Sequence, residues 1–136
     1  MNSYLIDTNI LKRVITNDDP ELSPKAKKVL TSASSGEYKL VITPIVLAES
    51  VYVLTSKNLY ELTREKAVLA LQIVMNIKNV LVDESDVVVQ ALEYYQNLKL
   101  DFADCYLIAK KEVRNFTGIK TFDTDIRKSD RASNGD

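Results

Sequence analysis

The chain contains no histidine. This excludes serine–histidine–aspartate and cysteine–histidine catalysis, imidazole zinc ligation and any histidine general base. A single cysteine, Cys105, excludes an internal disulfide and leaves nothing from which to build a structural zinc site. One thiol suits a reducing compartment, so the cytoplasm is the expected location. Glycine and proline are scarce, three of each in 136 residues, and no stretch forms a linker, a repeat or a low-complexity tract. Neither a G-x-G-x-x-G nor a G-x-x-x-x-G-K-[S/T] pattern occurs, so Rossmann and P-loop nucleotide cradles are absent. No apolar run approaches the roughly 18 residues of a membrane helix. The first residues, Met1 to Asp7, show no basic leader with a long apolar core, and no secretory signal is expected. Neither sign of charge dominates: 18 Lys and Arg stand against 19 Asp and Glu, for a net charge of −1. Chemistry must therefore run on carboxylates, hydroxyls, Lys and Arg, or on a metal held by oxygen.

What is present reads as one globular domain over residues 1–136, with an ordered core to about residue 128 and a polar tail at 129–136. Its 46% hydrophobic and 27% charged residues suffice for a proper core at this length. Segment types alternate. Short apolar runs at 3–6, 39–42, 79–82 and 118–122 predict strands. Helices are predicted over 9–15, from Ser23-Pro24 to about Ser34, from Thr43-Pro44 to about Thr55, over 63–77, from Ser85 to about Leu98, and over 102–113, with a short one near Asp125. Strands of four or five residues separated by helices predict an α/β fold, a parallel sheet with helices on both faces. Sites in such sheets lie beyond the carboxyl ends of strands.

Four acids fall where acids are unexpected. Asp7 follows Tyr4-Leu5-Ile6, and Asp123 follows Ile119 to Phe122, each at a predicted strand end. Glu49 is the only charge between Pro44 and Leu54, a segment apolar enough to predict a buried helix. Asp104 is the only charge between Phe102 and Ala109. A buried carboxylate without a partner costs several kcal/mol or neutralises itself. One pocket holding a divalent cation would account for all four, because Mg²⁺ and Mn²⁺ prefer carboxylate and water oxygens. Such ions acidify water and clamp the oxygens of an in-line phosphoryl displacement, which is nuclease chemistry without histidine.

Each acid also has an ordinary role open to it. Asp7 suits the N-cap of the first helix and Asp101 that of the helix at Phe102. Glu49 has a lysine partner as an alternative. Asp104 sits in a first helical turn, where an acid favours the helix dipole. Asp123 and Asp125 lie in a turn-like Phe-Asp-Thr-Asp-Ile.

Leu5-Ile6-Asp7-Thr8-Asn9, Glu49 after the second strand, Leu100-Asp101-Phe102-Ala103-Asp104 and Thr121-Phe122-Asp123-Thr124-Asp125 together resemble the PIN-domain family, and within it the VapC-like toxins. The resemblance spans nearly the whole chain. It implies a three-layer α/β/α fold with a short-stranded parallel sheet and a Mg²⁺- or Mn²⁺-dependent ribonuclease, usually a dimer. Asp7, Glu49, Asp104 and Asp123 take the place of the core acids, as catalytic and metal-holding residues, with Asp101 and Asp125 adjacent. Thr8 is implied as a hydroxyl near metal or phosphate, and Asn9 as a residue that orients the turn. A small antitoxin protein that occludes the site is the implied partner. Ile126 departs from the aromatic residue with which the last motif usually ends.

On the substrate side, Lys110, Lys111, Arg114, Lys120, Arg127, Lys128 and Arg131 cluster late in the chain, and Arg127 and Lys128 are candidates for RNA contact. Lys25, Lys27 and Lys28 read as a solvated helix face. Tyr94 and Tyr95 read as core or interface rather than base-stacking groups. The rival readings are an RNA-processing nuclease of the same fold and a non-catalytic scaffold. Aspartyl-phosphate chemistry is disfavoured, because Asp7-Thr8-Asn9 lacks the second acid that it needs.

Overall fold

A computed structural model describes residues 1–129. The chain divides into two compact units, Met1–Asp83 and Glu84 onward. The polar tail expected at 129–136 lies outside the described residues from residue 130.

In the first unit the elements run β1 (Ser3–Leu5), α1 (Thr8–Thr16), α2 (Leu22–Ser34), β2 (Lys39–Ile42), α3 (Pro44–Thr55), α4 (Arg64–Met75) and β3 (Val80–Val82). The strands form one parallel sheet in the order β1-β2-β3, with Tyr4 opposite Leu40 and Val41 opposite Leu81. Parallel neighbours need long crossovers, and the helical pairs α1–α2 and α3–α4 supply them. The class is α/β, as the alternation of segments implied. Strand β2 is central and buries Leu40 and Ile42, whereas the edge strand β1 leaves Ser3, Tyr4 and Leu5 exposed.

Local chemistry sets the helix starts. Asp7 Oδ1 accepts the Ile10 N–H at 3.1 Å, Thr43 Oγ1 accepts that of Val46 at 3.3 Å with Pro44 following, and Thr63 Oγ1 accepts that of Lys66 at 3.2 Å. Helix α2 departs from expectation. Ser23 is not its cap but lies inside it, buried; Asp19 instead accepts the N–H groups of Glu21 and Leu22 at 2.9 and 2.8 Å, and Ser23 Oγ accepts the Asp19 N–H at 3.2 Å. The exchange satisfies three backbone donors, more than a lone serine offers.

Helix α3 also differs from the sequence reading. Leu47, Ser50, Val51 and Leu54 are buried, at helical spacing, but Ile45, Glu49 and Tyr52 form an exposed stripe opposite them. An apolar composition alone could not assign the faces.

The second unit holds α5 (Ser85–Asn97), α6 (Phe102–Val113) and α7 (Thr124–Ser129). Helices α5 and α6 pack together, with Tyr95 and Phe102 edge to face at 6.2 Å. Glu84 accepts hydrogen bonds from Tyr106 and Lys110, and Asp86 takes both guanidinium nitrogens of Arg114 at 2.7 and 3.0 Å. The strand expected at 118–122 does not form. A strand exists only where a ladder pairs it, and a short run holding Ile119 and Phe122 without such pairing stays a loop. Asp123 therefore follows a loop rather than a strand. No helix among the described residues is long and apolar enough to cross a membrane.

Candidate active site

In the first unit the turn from β1 into α1 carries Asp7, Thr8 and Asn9. The Asp7 carboxylate is exposed and caps α1 through Oδ1. The next side chain, Thr8, is buried, and its hydroxyl donates to Oε1 of Glu49 on α3. One of the expected acids is thereby tied to the turn that carries another. Asn9 is exposed and, with Tyr4, Asp7, Ile10 and Tyr38, lines a cavity of about 560 Å³ beside this turn. Tyr4 and Tyr38 meet there edge to face at 5.3 Å, and the Tyr38 hydroxyl is anchored on the Val29 carbonyl at 2.9 Å. Tyr38 immediately precedes β2, so its adjacency to Tyr4 of β1 follows from the pairing of the two strands.

In the second unit Asp101 stands at the N-cap position of α6 but makes no side-chain capping bond; its carbonyl accepts the N–H groups of Asp104 and Cys105 instead. The ordinary reading of Asp101 as a side-chain cap is thus corrected. Asp104 is half-buried. Burial first, and then the negative charges of Asp101 and Asp123, hold its carboxyl above the usual range. Those three acids of one unit act on a common electrostatic neighbourhood. Asp123 Oδ1 accepts the N–H groups of Asp125 and Ile126 at 2.8 and 3.2 Å, and the Asp123 N–H is donated to Thr121 Oγ1 at 2.9 Å. Asp125 is exposed on α7, and Ile126, where an aromatic residue was expected, is buried.

Burial of all four acids does not hold. Asp7, Glu49 and Asp123 are exposed, and only Asp104 is partly withdrawn from water. The physical reason is position: helix starts and the solvent face of α3 keep these carboxylates hydrated at little cost. The late cluster of cations is likewise thinned, since Lys110 is bonded to Glu84, Arg114 to Asp86, and Lys111 is buried. Lys120 and Lys128 are exposed, and Arg127 is half-buried. Lys25, Lys27 and Lys28 are exposed on α2, and Tyr95 is buried, as read from the sequence. Among the described residues no group of three or more acids or cysteine is close enough to hold a metal ion. The expected site residues offer oxygen donors, the set that suits a hard divalent cation rather than zinc.

The PIN-domain family model matches residues 4–132. The chain belongs to the PIN-domain family. One match runs through both compact units, so the two belong to one family unit in sequence. No curated protein matches the chain. PIN domains are generally metal-dependent nucleases, with RNA as the implied substrate, and they generally bind divalent metals.

Proposed function

We propose that this PIN domain is a ribonuclease that uses Mg²⁺ or Mn²⁺ to hydrolyse RNA phosphodiesters, with Asp7, Glu49, Asp104 and Asp123 as the metal-holding acids and Asp101 and Asp125 beside them. The observation that carries the reading is the bond from Thr8 to Glu49, which fixes a carboxylate from α3 to the turn that bears Asp7. Exposed acids held this way stay available to an ion and its water. When bound, the ion supplies Lewis-acid stabilisation of phosphoryl oxygens and a more acidic water. The chain's own residues set the geometry. Thr8 orients Glu49; two backbone N–H groups hold Asp123 by Oδ1; Asp7 is held by the first turn of α1. Arg127 and Lys128 lie on α7 just after Asp123 and meet the phosphate backbone.

Within the family the chain acts as the toxin of a type II toxin–antitoxin pair. It works as a homodimer that a small antitoxin protein blocks by covering the acids. The VapC-like pattern of motifs supports this role. Purified chain incubated with single-stranded RNA and Mn²⁺ or Mg²⁺ tests the activity. Cleavage should vanish in Asp7→Asn and in Asp104→Asn while circular dichroism stays unchanged; metal-dependent cleavage retained by both variants overturns the site. Growth arrest on expression, relieved by the product of a small adjacent gene, tests the toxin role.

A further inference from the structure

Phe122 is the most exposed of the large hydrophobic side chains among the described residues, at 104% of its reference area. Single exposed apolar groups are ordinary on a protein surface. Phe122 differs from them in where it stands and how firmly its backbone is held. It lies in a turn whose bonds close on both sides of it: the Asp123 N–H reaches back to Thr121 Oγ1, and the Asp123 carboxylate reaches forward to the N–H groups of Asp125 and Ile126. Ile126 is buried and anchors the far side of that turn. The ring is thus presented to solvent by a braced backbone, next to an acid proposed above as a metal holder. Lys120 and Lys128 are exposed on either side in the sequence, and Phe116, also exposed, lies earlier in the same loop.

An aromatic face in water beside cations is how proteins hold unpaired nucleic-acid strands, the ring under a base and the charges on the backbone. We infer that Phe122 is a stacking platform for an unpaired RNA base next to the scissile phosphodiester, with Lys120 and Lys128 meeting the flanking phosphates. The inference rests on the ribonuclease reading and adds to it the residue that takes an unpaired base. A duplex, with its bases already stacked inward, offers the ring no free face.

The test is binding of a fluorescein-labelled single-stranded oligoribonucleotide to the full chain in Mg²⁺, read by anisotropy, beside cleavage of the same oligonucleotide. Phe122→Ala should weaken binding and raise KM by roughly 5- to 150-fold, with kcat nearly unchanged. Phe122→Trp should restore both, and Phe122→Leu, which keeps bulk without a π face, should not. An oligonucleotide abasic at the stacked position should bind wild type and Phe122→Ala alike. Phe122 buries nothing, so all variants should melt with the wild type. Wild-type binding in Phe122→Ala, or full rescue by Phe122→Leu, overturns the platform while the nuclease reading stands. Binding that depends on Phe122 without any cleavage supports the platform and overturns the nuclease reading. No binding of single-stranded RNA by the wild type overturns the platform, whatever its activity.

Discussion

The Thr8 hydroxyl donates to Oε1 of Glu49 across 41 positions of sequence, joining the first turn of α1 to the solvent face of α3. A buried hydroxyl must find an acceptor, and here it finds the carboxylate of an exposed residue. The pairing restricts a glutamate that otherwise samples many rotamers. In the proposed site, Thr8 positions an acid through this bond.

Thr8→Val, nearly isosteric, should lower Mn²⁺ affinity or cleavage by about 10- to 100-fold, as loss of a group supporting a metal ligand typically does. Thr8→Ser should retain most of both. Calorimetric titration with Mn²⁺ and initial cleavage rates check the pair. Equal behaviour of valine and wild type would mean that Glu49 needs no orientation.

Asp7 has an observed role as a helix cap and a proposed one in the metal site, and substitution separates the two. Its Oδ1 caps α1, and asparagine keeps that acceptor while removing the charge. Asp7→Asn should melt with the wild type and not cleave. Asp7→Ala should lose activity and about 1 kcal/mol of stability as well. Thermal and urea melts beside the cleavage assay distinguish the two losses.

Much of this was readable in the sequence because it is local. The helix starts at Thr43-Pro44 and Phe102 and the strand at 39–42 depend on residues a few positions apart, and they stand where the pattern puts them. What failed depends on partners distant in sequence. The short run at 118–122 joins no strand among the described residues, and the apolar α3 does not reveal which of its sides meets the core. Glu49 and Asp104 are conspicuous in the sequence because they interrupt apolar segments. Their hydration, and the link from Glu49 to Thr8, depend on how α1 and α3 pack, which no spacing within either helix records.

A third prediction concerns pH. Asp18 accepts hydrogen bonds from Tyr60, Thr16 and Arg13, and the Tyr60 hydroxyl, at 2.6 Å, does most to hold its carboxyl well below the usual carboxylate range. A depressed folded-state pKa means that the unfolded chain binds more protons as pH falls. The stabilisation is full above the ordinary carboxylate range and is lost as pH falls from that range through the folded value. Tyr60→Phe should raise the Asp18 pKa toward its ordinary value and flatten that part of the acid limb. An NMR titration of the Asp18 carboxyl carbon, with melts across the acid range, checks both. An unchanged Asp18 titration in Tyr60→Phe would remove Tyr60 as the cause.

The faces of α3 give the last prediction, and the position of Glu49 depends on it. Leu47 is fully buried and Ile45, two residues away, is 81% exposed. Leu47→Ala should cost about 2–5 kcal/mol, because it deletes buried methyl groups and leaves a cavity. Ile45→Ala should change stability by no more than about 0.5 kcal/mol, since it removes no buried area. Urea melts of the two variants decide the matter. If Ile45→Ala were the costly one, α3 would be rotated, Glu49 would face the interior, and its bond to Thr8 would have to be read as a buried pair instead of an acid held at the surface.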